Sequence, residues 1–278
     1  MSIITLNNTL NNGVSIPQVG FGVFQIPPTD AQRMTEAALS AGYRHIDTAA
    51  GYQNEQGVGA GVIQSGLPRD EVFVTTKLWN ADQGYEKALA AYESSRKKLG
   101  LDYIDLYLIH FPIPQKRLYQ ETWKALEKLY SEGAVRAIGV SNFKFPYLDR
   151  LLAGAEVVPA VHQIEVHPTY QQAELDALTR VHGIAVEAYS PLGRGADLTA
   201  PAIVEIAARV GATPAQVIMT WHLKRGRIVL PKSASVERLT ENLRTDHIEL
   251  TEADLTTIET LEAGLRTGED IETFDIPA

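Results

Sequence analysis

Short apolar, β-branched runs recur along the chain and alternate with longer stretches whose apolar positions return every three to four residues. The runs at 19–21, 43–46, 72–75, 106–109, 137–140, 160–164, 185–188 and 228–230 predict eight strands. Their near-continuous apolar character suits a parallel sheet covered on both faces. The periodic stretches predict helices over 29–41, 55–65, 85–99, 119–132, 145–152, 172–182, 213–224 and 236–245. Thr213-Pro214-Ala215-Gln216 combines an N-cap Thr, a Pro at the first helical position and a Gln placed to close a capping box. Thr251-Glu252-Ala253-Asp254 is a similar start for an extra C-terminal helix, and Gly42, Gly66, Gly100, Gly133, Gly183 and Gly226 fall between helix and strand. Eight β-α units predict an α/β fold, a (β/α)8 TIM barrel. Asn11-Asn12-Gly13, between 3–5 and 14–16, is a hairpin signal ahead of the first barrel strand, expected at the barrel floor. No linker divides the sequence, so residues 1–278 are expected to form one domain.

A doubly wound nucleotide-binding fold is the rival architecture. Its G-x-G-x-x-G fingerprint is not matched by Gly57-Val58-Gly59-Ala60-Gly61, which lies inside a helical pattern and reads as small residues for helix packing. A net charge of -9 argues against a broad nucleic-acid or anionic-membrane surface, so any anion site must be a focused pocket. Zero cysteines remove disulfides, thiolate catalysis and cysteine-ligated zinc. With no bilayer-length apolar stretch and no basic-then-apolar leader, a cytoplasmic location is expected.

In such a barrel, chemistry sits at the C-terminal ends of the strands. Four titratable residues fall there: Asp47 and Tyr52 after 44–46, Lys77 after 72–76, and His110 after 106–109. Singly, each has an ordinary reading: Tyr52 a half-buried aromatic, Asp47 an N-cap, Lys77 a solvated lysine and His110 a core histidine. Jointly they suit a proton-donating site around a phenol whose pKa is lowered by an adjacent cation. A cation about 4 Å away, at an effective dielectric of about 20, is worth roughly 4 kcal/mol. That is about three pKa units before desolvation is subtracted, enough to draw a phenol towards neutral pH. Such a set points to carbonyl chemistry.

These residues stand in motifs that resemble the aldo-keto reductase family along nearly the whole chain. They are Gly42-Tyr43-Arg44-His45-Ile46-Asp47-Thr48-Ala49 continuing to Tyr52, Thr76-Lys77-Leu78-Trp79, and Asp105-Leu106-Tyr107-Leu108-Ile109-His110. Further matches are Ile138-Gly139-Val140-Ser141-Asn142-Phe143, Gln163-Ile164-Glu165-Val166-His167-Pro168, and Pro231-Lys232-Ser233 with Arg238 and Glu241-Asn242. Within the family the chain is similar to the bacterial 2,5-diketo-D-gluconate reductase and prostaglandin-F-synthase-like branch.

The resemblance implies that Tyr52 is the general acid, Lys77 lowers its pKa, Asp47 pairs with Lys77, and His110 orients the substrate oxygen. It implies NADPH as hydride source, since no side chain supplies one. Ser141, Asn142 and Gln163 would hold the nicotinamide carboxamide and Tyr189 would stack on the ring. The loop containing Ser190, Leu192 and Gly193 would lie over the pyrophosphate. Lys232, Ser233 and Arg238 would take the 2′-phosphate, with Glu241 and Asn242 at the adenine, favouring NADPH over NADH. Phe24, Trp79 and Phe111 would wall a pocket for small carbonyl substrates: aldehydes, α-dicarbonyls or keto-sugars. Two departures stand out: the family often has Trp where Phe111 stands, which bears on pocket width, and Asn where His162 precedes Gln163. Alternation along a strand separates His162 from Glu165 and His167, so no metal site is expected. A Schiff-base lyase using Lys77 and a nucleotide-binding regulatory subunit remain alternatives. The expected partner is a small-molecule carbonyl compound, and the expected state a monomer.

Overall fold

A computed structural model describes residues 6–271 together with Phe274. A hairpin of β1 (Asn7–Thr9) and β2 (Ser15–Pro17) comes first, paired antiparallel. Eight parallel strands follow: β3 (Phe21–Gly22), β4 (His45–Asp47), β5 (Phe73–Leu78), β6 (Ile104–Ile109), β7 (Val135–Ser141), β8 (Val161–Glu165), β9 (Ala185–Tyr189) and β10 (Ile228–Leu230). Each pairs with the next in sequence. Closure comes from a parallel bridge between Val19 and Val229, with Val229 N donating to Gln18 O at 2.8 Å and Gly22 N to Pro231 O at 3.1 Å. Around this (β/α)8 barrel run α1 (Pro28–Ala41), α2 (Glu55–Gln64), α3 (Tyr85–Leu99), α4 (Tyr119–Ser131), α5 (Phe145–Leu152), α6 (Ala173–Val181), α7 (Pro201–Val210), α8 (Pro214–Lys224), α9 (Val236–Leu243) and α10 (Glu252–Glu259).

Local chemistry explains the boundaries. Thr213 and Gln216 close a capping box on α8, and Thr251 with Asp254 closes one on α10. Gly59 lets α2 approach the end of α3 so closely that a Cβ there would lie 1.8 Å from Leu99 O. The glycine cluster is therefore a packing device. At the floor, Leu10 and Ile16 from the hairpin region join Phe73, Leu106, Leu108, Ala137, Val161 and Ile228 in one buried cluster. Burying an aliphatic side chain of that size contributes about 1.5–3 kcal/mol, so the hairpin seals the lower end and leaves the upper end for chemistry.

Several boundaries differ from the sequence reading. The hairpin strand expected at 3–5 lies outside the described residues, and the pairing strand is Asn7–Thr9. The first barrel strand, expected at 19–21, makes its ladder over Phe21–Gly22. Strands expected to stop at residues 46 and 75 run on through Asp47 and Leu78, because backbone pairing continues where buried polar side chains interrupt the apolar pattern. Two helices lie outside the eight-unit alternation, the expected α10 and the unexpected α7, whose signals are Pro201 at the first turn, buried Ile203, Ile206 and Ala207, and left-handed Gly211 at its end. Among the described residues no single helix is long and apolar enough to cross a membrane.

Candidate active site

The strand ends deliver the four titratable side chains to one point. Asp47 is the last residue of β4, Lys77 lies near the end of β5, His110 directly follows β6, and Tyr52 ends a short 3-10 turn, Ala50–Tyr52. Lys77 is fully buried, and its Nζ donates to Asp47 Oδ1 at 2.6 Å, to the Thr48 carbonyl at 2.9 Å and to the Tyr52 hydroxyl at 3.5 Å. The Tyr52 and His110 rings meet edge-on with centroids 5.6 Å apart, and Trp79 meets His110 at 5.5 Å. Gly51 makes this packing possible, because a Cβ there would lie 2.4 Å from the Trp79 ring.

Electrostatics correct one expectation. The Tyr52 phenol is held above its ordinary range, not drawn towards neutral pH: burial raises it most, Lys77 lowers it, and Asp47 and Glu187 raise it again. The Coulomb gain assumed for Lys77 is shared with the carboxylates around it. Burial disfavours the charged Lys77, yet Asp47 and Tyr52 keep its ammonium above the usual range. Burial, assisted by Lys77, pushes the His110 imidazole well down, so it is neutral.

A second layer lies beneath. Gln163 Nε2 donates to Asp47 Oδ2 at 2.9 Å and to Glu187 Oε2 at 2.6 Å. Glu187, fully buried on β9, is pushed up to about 8 by desolvation and by the Asp47 carboxylate. With both amide N–H groups given to the carboxyl groups of Asp47 and Glu187, Gln163 has its Oε1 left as an acceptor. Asn142, in a left-handed conformation at φ 62°, donates to the His110 carbonyl and to Ser141 Oγ, both at 3.0 Å, and accepts from the Tyr189 hydroxyl at 2.7 Å. Asn is among the residues that tolerate that backbone region.

Above these groups runs a cleft of about 750 Å³. One end is walled by Phe24, Trp79, Phe111 and Phe274, the last stacked on Phe111 with centroids 4.5 Å apart. The middle presents Ser141, Asn142, Gln163, Tyr189, Ser190 and Leu192, and the far end presents Lys232, Ser233, Arg238, Glu241 and Asn242. The structure thus gathers the expected site residues along one channel, with two exceptions. Lys77 lies behind Tyr52, out of the cleft surface. Gly193 faces Asp197 and His167 instead of the cleft. His162 sits outside the barrel lumen, its Nδ1 3.0 Å from Thr179 Oγ1 on α6.

The model of the aldo/keto reductase family matches residues 18–263. The chain belongs to the aldo/keto reductase family. This aldo-keto reductase is 47% identical to the 9,11-endoperoxide prostaglandin H2 reductase of Trypanosoma cruzi, over 96% of this chain and 95% of that protein. It is 46% identical to the glyoxal reductase of Bacillus subtilis, over 93% and 94%. Among solved structures, a variant of the protein Gox0644 in complex with NADPH superposes with a TM-score of 0.93 at 42% identity, covering 98% of this chain and 99% of that one. Family membership makes the protein an oxidoreductase.

Sequence reasoning missed several residues in and beneath the aldo-keto reductase cleft. Glu187 was hidden inside an apolar strand run, where a single carboxylate leaves the periodicity intact. Gln25, Leu198, Gly268, Glu269 and Phe274 lie on irregular segments that carry no periodic signal, although all line the cleft.

Proposed function

We propose that this aldo-keto reductase uses NADPH to reduce aldehyde and ketone groups of small carbonyl compounds, with Tyr52 as proton donor. The observation that carries the reading is the Tyr52 hydroxyl 3.5 Å from a fully buried Lys77 ammonium that is itself fixed on Asp47 at 2.6 Å.

The donor set fits the cofactor. Ser141 Oγ accepts from Asn142 and keeps its own proton to donate to a carboxamide oxygen, while Gln163 Oε1 is free to accept from a carboxamide N–H. Tyr189 lines the middle of the cleft, where a flat ring would stack. Lys232 and Arg238 are exposed at the far end and, among the described residues, pair with no carboxylate, as cations awaiting a phosphate would be. When bound, the cofactor supplies the hydride to the carbonyl carbon.

The protein's own residues handle the proton. A protonated phenol is ready to give its proton to the carbonyl oxygen, and the phenolate left behind lies beside the Lys77 ammonium, which stabilises it. Neutral His110 offers a hydrogen bond to the same oxygen without competing as an acid. Aromatic walls exclude water and favour substrates with an apolar or planar face. Aldehydes and α-dicarbonyls fit this pocket, in keeping with the name of the Bacillus subtilis relative, and keto-sugars extend the same class. A Schiff-base role for Lys77 needs an unprotonated amine, whereas Asp47 holds it charged.

The test is a panel of aldehydes, α-dicarbonyls and keto-sugars followed by loss of NADPH absorbance. Turnover of several aldehydes is the expected result; no NADPH oxidation with any of them would end this reading.

A further inference from the structure

Beside the cleft lies a buried charged cluster that the proton and hydride chemistry does not use. His167, just beyond β8, is fully buried between two carboxylates, with Nδ1 2.8 Å from Asp197 Oδ2 and Nε2 3.2 Å from Glu165 Oε1. The two carboxylates hold two different segments of the cleft wall. Asp197 lies in the segment Gly193–Thr199 after β9, whose Arg194, Gly195 and Leu198 line the cleft. Glu165 ends β8 and anchors the C-terminal strap: Thr267 N and Thr267 Oγ1 each donate to its Oε1 at 2.6 Å, and Gly268 N to its Oε2 at 3.0 Å. Gly268 and Glu269 of that strap line the cleft, and a Cβ on Gly268 would lie 3.5 Å from the Tyr189 hydroxyl.

The cluster is built as an ion triad. Burial would lower the His167 imidazolium, but its hydrogen bonds to Asp197 and Glu165 outweigh that and hold it up at about 9. Burial would likewise raise Glu165, and the bonds from His167 and Thr267 hold it down at about 2. Both ring N–H groups therefore donate, one to each segment. Thr169 Oγ1 donates to the remaining Asp197 oxygen at 2.8 Å, so the network has few spare bonds through which to relax. The loop it holds turns through left-handed backbone at Arg194 (φ 52°), a conformation that needs outside support. A second thread runs the same way, from Arg266 Nη2 to the Tyr189 hydroxyl at 3.0 Å and on to Asn142.

We propose that His167 is a positioning residue that couples the two segments: settling of the Gly193–Thr199 loop over the cofactor fixes the 266–268 strap over the carbonyl substrate. The coupling rests on the reading that this loop covers the NADPH pyrophosphate. A cofactor that immobilises the loop leaves less freedom to be lost when the strap settles, which links the two sites without any large movement. Asp197 touches the loop side and Glu165 the strap side, so the imidazolium is the direct link between them, beside a parallel path in which Thr169 donates to Asp197 and accepts from Ala263 N and Leu265 N.

Trypsin cleavage after Arg266, followed with and without saturating NADPH, reads the coupling without reference to turnover. In the wild type, NADPH should slow this cleavage by about tenfold, a coupling of ordinary size. His167→Gln and Asp197→Asn, each checked for fold by circular dichroism and for NADPH binding by fluorescence, should lose that protection, although Asp197 makes no hydrogen bond to the strap. If His167→Gln fails to fold, Asp197→Asn alone decides. Wild-type protection retained in either folded, NADPH-saturated variant would overturn the coupling and leave the reductase reading standing. Failure of the wild type to bind NADPH would overturn both.

Discussion

The two ends of the cleft are built by opposite means. At the substrate end the decisive charges are buried: Lys77 and Asp47 are 0% and 3% exposed and share a 2.6 Å ion pair, with Gln163 and Glu187 beneath. At the far end Lys232 and Arg238 are exposed, beside and within the first turn of α9. Buried charges hold geometry to within tenths of an ångström and tolerate no missing partner. Exposed cations act through water, adjust their side chains and are screened by salt. The first arrangement suits bond making, the second recognition of a phosphate, and substitutions should separate the two.

The largest effect should follow Asp47→Ala. It strips the partner from a buried ammonium and should destabilise the fold by about 3–5 kcal/mol, read as a lower denaturant midpoint, with reduction lost as well. A loss under about 1 kcal/mol, the range of exposed pairs, would erase the distinction between the two ends.

Glu187→Gln should come next, and its effect depends on pH. Glu187 is raised from 4.5 to about 8 in the folded protein, so between those values the folded state holds a proton that the unfolded state has released. Wild-type stability therefore falls as pH rises through that window, by on the order of 1 kcal/mol per unit at most. Gln has no proton to lose, so the melting temperature of the variant should gain on the wild type from pH 5 to pH 8. A constant difference across that range would place Glu187 in the ordinary carboxylate range instead. His167 adds a slope of the same sign, its contribution complete below 6.5 and lost as pH rises through about 9.

Arg238→Ala should do least to the fold and act on binding. NADPH affinity should weaken by about tenfold and NADH affinity hardly at all, with the difference shrinking as salt rises. Equal loss for both cofactors in titrations would remove Arg238 from the 2′-phosphate.

The same contrast explains what the sequence revealed. Barrel strands and most helices were legible because burial on both sheet faces writes a long apolar signature, and Asp47, Lys77 and His110 were legible as polar residues interrupting it at strand ends. The net direction of the Tyr52 shift was not, since it depends on how burial, Lys77, Asp47 and Glu187 balance in three dimensions. Glu187 itself is one carboxylate in an apolar run, facing Gln163 across a strand boundary that no local pattern records. The C-terminal strap was illegible for a different reason: Thr267 and Gly268 are held by tertiary bonds to Glu165, not by any periodicity of their own.

The central claim is that Tyr52, protonated at neutral pH and backed by Lys77, gives its proton to the carbonyl oxygen. Single-turnover reduction of a good aldehyde by Tyr52→Phe, with the NADPH dissociation constant measured on the same sample, tests it most directly. The rate should fall by roughly 10²–10⁴, the usual contribution of a general acid, while the dissociation constant stays at the wild-type value. Reduction at the full wild-type rate would show that the proton comes from elsewhere.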